Sequence, residues 1–188
     1  MREYHDTEWG FPVVDDRRLF EKLCLEGFQA GLSWRTVLAK RPAFRRWFAD
    51  FDIEAVAGFG DDKVRQMLDD PAIIRHRGKI EAAINNAGRA LDLVAEHGSL
   101  AAYVWGYEPD TASRPATITR AWLAHAATSP ESTALSRDLK RRGWRFVGPT
   151  TVYAFMQAMG LVDDHEDTCA SRAGAEAARA ALQRPSLP

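Results

Sequence analysis

The chain has 188 residues, of which 46% are hydrophobic and 27% are charged, so it is long enough for one globular domain with a sizeable core. Its net charge of −1 excludes a protein that binds nucleic acid through overall positive charge, so any such surface has to be a local basic face. No apolar run approaches the length of a membrane span, and two cysteines, Cys24 and Cys169, give no disulfide framework, so we expect a cytoplasmic protein.

The first predicted element is a helix that begins after Asp15 or Asp16, either of which can cap its N-terminus, and runs through Phe28. When the helix is projected at about 100° per residue, three apolar residues fall on one side and predict its buried stripe: Leu19, Leu23 and Ala30. Glu26 falls inside the same arc. A carboxylate at the centre of a core face is unfavourable unless it is hydrogen-bonded or paired.

The end of this helix combines a buried acid, a bend and an aromatic residue. After Glu26, Gly31 and Ser33 interrupt the helix and Trp34 follows at once. One interpretation is a structural Glu that is satisfied in the core or sits where the stripe reaches the surface. The other is a pocket wall, and the inference from a buried ionisable group to function is only probabilistic. The pattern alone leaves both open.

Shorter helices are predicted next. Ser33 can cap a second helix through Leu38, which we expect Pro42 to stop. Two further short helices follow acidic residues that can cap them, over residues 53–57 after Asp52 and over residues 62–68 after Asp61. Three aromatic residues recur at helical spacing and are expected in the core: Phe44, Trp47 and Phe48.

The longest amphipathic segment opens with the basic cluster Arg75-His76-Arg77-Gly78-Lys79 and closes at Gly98. Its predicted buried face consists of Ile80, Ala83, Ile84, Ala87, Leu91 and Val94. The basic cluster lies where the helix dipole disfavours cations. A solvated face, a structural role and an anionic partner are all compatible with it.

Residues 106–119 are rich in Pro, Thr and Ser and predict a surface loop. Ser129 and Pro130 then start a helix that is expected to run to Arg142, and another is expected over residues 152–159, with Gly160 closing it. Residues 130–160 are therefore either a plain helix connection or a hairpin whose glycine-containing loop approaches a phosphate. No segment shows convincing strand alternation, so the predicted fold is all-α: one unit over residues 1–170 and a tail over residues 171–188 that either adds a helix or frays in part.

Three stretches in this order resemble the DNA-3-methyladenine glycosylase I family of base-excision repair enzymes: Tyr4 to Gly10, Leu25 to Trp34, and Gly143 to Thr151. The resemblance spans Tyr4 to about Cys169. It implies a helix-hairpin-helix glycosylase fold whose termini are brought together at a zinc-type site. It also implies hydrolytic excision of 3-methyladenine from double-stranded DNA, and we expect a monomer. The methylated purine is cationic and has to be extruded from the duplex to be reached.

The resemblance assigns roles to individual residues. Glu26 is the pocket carboxylate that accepts hydrogen bonds from the adenine edge and favours the positive ring. Aromatic residues that attract the cationic ring by cation–π interaction are Tyr4, Trp9 and Trp34. Gly31 and Leu32 would fill the gap left in the duplex. The residues expected to contact the DNA backbone are Gly148, Thr150 and Thr151.

A metal site is implied in the same way. The family binds zinc through two histidines and two cysteines, and three residues here match: His5, His165 and Cys169. The fourth ligand, an upstream cysteine, has no counterpart, since Met1 stands three residues before Tyr4. We therefore expect a structural zinc site that lacks one ligand, with its occupancy left open. Asp163 stands where the family usually has asparagine, either as a neutral change or helix cap, or as extra stabilisation for a cationic sugar.

Two other functions compete with this one. The first is a non-catalytic helix-hairpin-helix relative that binds DNA and has lost activity. The second is a glycosylase for a different alkylated base, which would share the scaffold and differ in the base released.

Overall fold

The computed structural model describes residues 1–185, and within that range every regular element is helical. The all-α prediction is therefore confirmed for those residues. The helices are α1 (Arg2–Thr7), α2 (Asp16–Gln29), α3 (Trp34–Trp47), α4 (Ile53–Ala57), α5 (Asp61–Asp69), α6 (Arg77–His97), α7 (Leu100–Trp105), α8 (Arg120–Leu123), α9 (Pro130–Arg141), α10 (Pro149–Ala158) and α11 (Arg172–Ala181). The tail forms α11, and its last three residues lie outside the described part.

Local capping chemistry sets several helix starts. The side chains of Asp15, Ser33, Asp52 and Ser129 each accept a hydrogen bond from a first-turn N–H group, as their positions in the sequence predicted. Asp61 instead lies inside α5, and Gly60 takes the cap position. The N-terminal helix α1 has no counterpart in the predictions, because six residues carry too little periodicity to reveal it.

Helix α2 lies at the centre of the molecule and contacts α3, α6, α7 and α10. All ten residues from Leu19 to Phe28 are buried, so α2 is enclosed on all sides and is not merely striped. The prediction that Ala30 belongs to the buried stripe was wrong. Helix α2 ends at Gln29, so the 100° spacing no longer applies to Ala30, which is exposed.

Tertiary packing also overrides two other predictions. Helix α3 continues through Pro42 to Trp47, although a proline inside a helix costs about 3 kcal/mol. Phe44 and Phe48, just beyond it, are fully buried against Phe28, and this burial offsets the lost hydrogen bond. Trp47 is only half-buried.

Helix α6 is rotated relative to the predicted face. Ile80, Ala83 and Ala87 are buried as expected, whereas Ile84, Leu91 and Val94 are only half-buried. The rest of the buried face is formed by Lys79, Ala82, Asn86, Ala90 and Leu93. The cause is that α6 packs on α2, α4, α5 and α7 together, so its contacts spread around more of the helix than one stripe.

The two ends of the chain meet beside α10. The Gly10 N–H donates to the carbonyl of Ala158, and the Val13 N–H donates to that of Met159 at 3.1 Å. Gly160 has φ +73°, and a Cβ there would lie 2.5 Å from the Pro12 nitrogen. Glycine is therefore required where the two segments cross. No helix within residues 1–185 is long and apolar enough to cross a membrane.

Candidate functional site

A cavity of about 520 Å³ lies between α1, α2, the start of α3, α10 and the segment after α10. Residues from the two ends of the chain line it, together with residues from α2, the start of α3 and Leu123 of α8. The structure brings seven of the predicted site residues into this one lining: Tyr4, His5, Trp9, Glu26, Trp34, His165 and Cys169.

Glu26 is buried, with 6% of its surface exposed. Its carboxylate is paired: Glu26 Oε1 lies 2.6 Å from Lys22 Nζ, and both side chains are about 5% exposed. The two residues are four apart on α2, so they lie one above the other on the same face. The carboxylate that the helical projection placed in an apolar arc is thus stabilised by an ion pair that also faces the cavity.

Lys22 was not predicted as a site residue, yet its ammonium group makes three contacts there. Besides pairing with Glu26, it donates to the Tyr4 hydroxyl at 2.7 Å and lies 3.4 Å from the centroid of the Trp34 ring. Burial lowers the pKa of Lys22, and the attraction of Glu26 only partly opposes this. The spacing of four between Lys22 and Glu26 was the available signal, but lysine on a helix is usually exposed.

Tyr4 and Trp34 form the aromatic part of the cavity. Their ring centroids are 5.4 Å apart, and Tyr4 is buried. Burial raises the pKa of the Tyr4 phenol, and the nearby carboxylates of Glu26 and Glu8 raise it further, so the hydroxyl stays neutral and keeps its proton. Behind Tyr4, Arg41 holds Glu8 in a two-pronged pair at 2.6 and 2.8 Å.

Trp9 lies in a different part of the same lining. Its ring stacks on His5 with centroids 5.9 Å apart and meets His165 edge-on at 4.8 Å. Trp9 therefore packs on the histidines, while Tyr4 and Trp34 pack on each other.

His5, His165 and Cys169 converge, with one potential ligand atom from each lying within 4.8 Å of the others. His165 is buried, and its Nε2 has no hydrogen-bond partner among the described residues. The other ring nitrogen of His165 faces Asp163 Oδ1 at 2.8 Å, and the Nδ1 of His5 faces Asp6 at the same distance. Two imidazoles, each facing a carboxylate, and a thiol are a donor set that suits zinc. The unpartnered Nε2 of His165 is the ring atom that would bind the metal.

Asp163 is directed at His165, because both the ring and the backbone N–H of His165 contact its carboxylate. Burial raises the pKa of Asp163, but the hydrogen bonds from His165 outweigh it and hold that pKa below its ordinary value. Asp163 does not line the 520 Å³ cavity, whereas its neighbour Asp164 does. Asp164 is buried and accepts hydrogen bonds from Tyr153 and Gln157 at 2.8 and 2.7 Å.

The bend after α2 is held in place from α6. Lys79 Nζ donates to the carbonyls of Phe28 and Ala30, at 3.0 and 2.6 Å. This contact gives one member of the basic cluster a structural role, one of the three that the sequence left open. Beyond the bend, Gly31 has φ +78° and Leu32 is 43% exposed. An apolar side chain is thus presented to solvent on a fixed turn.

The loop between α9 and α10 is held by hydrogen bonds from side chains of α6 and α9. Asn86 on α6 binds both backbone polar groups of Arg145 at 2.9 Å, and Ser136 donates to the Val147 carbonyl at 2.6 Å. Helix α10 begins at Pro149, earlier than the predicted start at residue 152, because a proline suits the first turn. Gly148 is its cap residue.

Nothing within residues 1–185 requires glycine at position 148. Its φ is −63°, and the one atom of these residues that an added Cβ would meet within 4 Å is the Thr151 hydroxyl, at 3.9 Å. Among the described residues, no side chain accepts from the first-turn N–H groups of α10. The N-terminus of α10, with the N–H groups of Thr150 and Thr151, is therefore open to an outside acceptor such as a phosphate.

Comparison with known proteins gives a consistent result. A family described as methyladenine glycosylase matches residues 1–173. The chain is 46% identical to DNA-3-methyladenine glycosylase 1 of Escherichia coli (strain K12) over 167 residues, 88% of each chain. It is 43% identical to DNA-3-methyladenine glycosylase of Haemophilus influenzae, with 89% of each covered. A crystal structure of a 3-methyladenine DNA glycosylase I variant in complex with 3-methyladenine superposes with a TM-score of 0.84 at 36% identity, covering 91% of both chains.

Proposed function

The chain belongs to the methyladenine glycosylase family, and from that premise we propose that it hydrolyses the N-glycosyl bond of 3-methyladenine in DNA, with the base held in the cavity beside Glu26. The observation that carries this assignment is a buried carboxylate that lines a cavity of about 520 Å³ together with the aromatic rings of Tyr4 and Trp34. A base in a duplex cannot reach such a cavity, so the nucleotide has to be flipped out.

The cavity suits a cationic purine. The faces of Trp34 and Tyr4 attract a positive ring by about 0.5–2 kcal/mol each, and the Glu26 carboxylate accepts hydrogen bonds from the adenine edge. The neutral Tyr4 hydroxyl is a further hydrogen-bonding group on the same wall. Trp9 lies in the same lining and was predicted to attract the cationic ring as well, but its packing on His5 and His165 supports a role in shaping the metal-ligand side of the cavity.

The reaction needs little further activation. Methylation at N3 gives the purine a positive charge, so when the N-glycosyl bond breaks, the base takes the electron pair and leaves as neutral 3-methyladenine. Water adds to the sugar carbon and its proton passes to solvent. The carboxylate of Glu26 favours the charged base in the pocket. A wrong base binds less tightly because it leaves polar groups of the pocket unpaired.

We propose that DNA lies across the bend after α2 and the N-terminus of α10. Support comes from the exposed Leu32 on its fixed turn, which is suited to fill the gap left by the flipped nucleotide. The open N–H groups at Gly148, Thr150 and Thr151 are suited to a backbone phosphate. On this proposal α9 and α10 serve as the helix-hairpin-helix, and the protein acts as a cytoplasmic monomer on double-stranded DNA.

We also propose that His5, His165 and Cys169 hold a structural zinc ion that clasps the two ends of the chain, with the fourth position taken by a ligand from outside this set. A bound zinc would contribute folding energy and would not act on the substrate. Asp163, which orients the His165 ring, then has a positioning role, and a contribution to stabilising the sugar is not supported by its direction.

The test of the main proposal is chromatography of bases released from methylated DNA. Release of 3-methyladenine as the main product is the expected result. Tight binding to DNA without release of any base would favour the non-catalytic relative. Preferential release of another methylated base would favour the other glycosylase.

A further inference from the structure

We propose that Lys22 is an internal substitute for the charge of the substrate, and that a cationic base displaces its ammonium group from Glu26 and Trp34 when it enters the cavity. Lys22 would thereby be a specificity-determining residue. The inference rests on the proposed function above, since it takes the cavity beside Glu26 to be the base site.

The position of the ammonium group carries the inference. Lys22 Nζ lies 3.4 Å from the centroid of the Trp34 ring and 2.6 Å from Glu26 Oε1. The first separation is close to that between two stacked aromatic rings. A purine stacked on that face of Trp34 and within reach of Glu26 would therefore coincide with the ammonium group. One of the two has to leave, and the long flexible stem of a lysine allows it to do so.

The charges around the site make this exchange selective. In the absence of a base, Lys22 and Glu26 neutralise each other inside the cavity. Removing one member of a buried pair leaves an uncompensated charge and is strongly unfavourable. A neutral base that displaced Lys22 would leave Glu26 unpaired, whereas a cationic base replaces the charge it removes. Normal, uncharged bases are thus rejected by the cost of breaking the pair.

The other neighbours of the Lys22–Glu26 pair explain why Lys22, and not Glu26, moves out of the cavity. Burial lowers the pKa of Lys22, and the nearby charge of Arg41 lowers it too, while Glu26 and Glu8 act in the opposite direction. Tyr4 contributes only a neutral hydroxyl as acceptor. The ammonium group therefore gains stability when it moves toward water, provided that another cation compensates Glu26.

The experiment compares two probes by calorimetry. The first is 3,9-dimethyladeninium, a permanent cation. The second is its neutral isostere, in which carbon replaces the methylated ring nitrogen. Lys22→Met keeps the length of the side chain and removes its charge. We expect this variant to bind both probes at least about tenfold more tightly than the wild type does, equivalent to about 1.4 kcal/mol, because neither probe then has to break the pair with Glu26.

Lys63→Met is the matched control. Lys63 also places its ammonium group over an aromatic ring, 4.7 Å from the Trp47 centroid, but it does not line the cavity. This variant should bind both probes as the wild type does. If folded Lys22→Met binds the cationic probe no more tightly than the wild type, the inference is wrong.

A measurement on the wild type covers the case in which Lys22→Met does not fold. The ¹⁵Nζ resonance of Lys22 should move to a solvent-exposed value when the cationic probe binds. A resonance that is unchanged at saturation would overturn the proposal. Failure of this inference is distinguishable from failure of the proposed function: in the first case the wild type still releases 3-methyladenine, and in the second it releases none and binds neither probe.

Discussion

Replacing Glu26 with glutamine removes one charge from the buried pair and nearly preserves the shape of the side chain. Lys22 keeps the Tyr4 hydroxyl and the Trp34 face but loses its counter-ion. We expect base release to fall by at least about a hundredfold, because a loss of about 3 kcal/mol in stabilisation of the cationic ring corresponds to that factor. The fold should persist.

The effect on stability follows from burial. Breaking a buried ion pair by removing one partner costs about 3–5 kcal/mol, and both side chains here are about 5% exposed, so solvent screening reduces this little. The contacts that Lys22 retains favour the lower end. For a chain of this length, about 3 kcal/mol lowers the melting temperature by roughly 6–12 °C.

The penalty should depend on pH in a defined direction. The pKa of Lys22 lies below its ordinary value because of burial, and Glu26 is the group that most raises it. Without Glu26 that pKa falls further. Below both the folded and the unfolded pKa the full cost of a charged, unpaired lysine is present. As pH rises, the folded protein releases the proton before the unfolded chain does, so the penalty shrinks on the alkaline side, as pH approaches the ordinary lysine pKa of about 10.4.

Thermal melts across this pH range, together with chromatography of released bases, test the reasoning. Glu21→Gln is the matched control on the same helix. Glu21 pairs with Arg45, whose side chain is 42% exposed, so we expect a loss of at most about 1 kcal/mol and normal base release. Wild-type base release by Glu26→Gln, or a penalty that grows with pH, would refute the argument.

Three further predictions concern the rest of the site. Gly148→Glu adds bulk and a negative charge, the same sign as that of DNA phosphates, at the start of α10 and should weaken binding to undamaged duplex by about tenfold. Gly60→Glu, at another helix cap, should not weaken it. Equal titration curves for Gly148→Glu and wild type would place the DNA surface elsewhere. Cys169→Ser should abolish any rise in melting temperature on adding zinc, and an undiminished rise would exclude the thiol as a ligand. Lys79→Met removes two hydrogen bonds that hold the end of α2 and should cost about 2 kcal/mol while slowing excision from DNA more than it weakens binding of free base; equal losses would contradict the role assigned to the bend.

The sequence predicted what local chemistry decides. The caps at Asp15, Ser33, Asp52 and Ser129 follow from a side-chain oxygen next to free N–H groups, and the structure has all four. The continuation of α3 through Pro42 was not predictable in this way. It depends on the burial of Phe44 and Phe48 by residues distant in the sequence.

The site shows the same division. Glu26 was recognised because a carboxylate on an apolar arc is conspicuous. The resemblance of the sequence to the glycosylase family added Tyr4 and Trp34 as predicted site residues. Lys22 was missed although it lies on the same face of α2 as Glu26, because a lysine on a helix is usually exposed. The convergence of His5, His165 and Cys169 was expected from the resemblance, since two ligands four residues apart carry little information by themselves.

The meeting of the chain ends beside α10 has a consequence for the order in which the molecule is completed. The hydrogen bonds from Gly10 and Val13 join segments from opposite ends of the sequence, and such non-local contacts form late because the intervening chain has to be ordered first. Tyr4 and His165, which line the cavity, belong to the two segments that this closure joins. Amide hydrogen exchange should therefore be faster at the closure than in the α2 core. Gentle heating would then abolish base binding while most of the helical content persists.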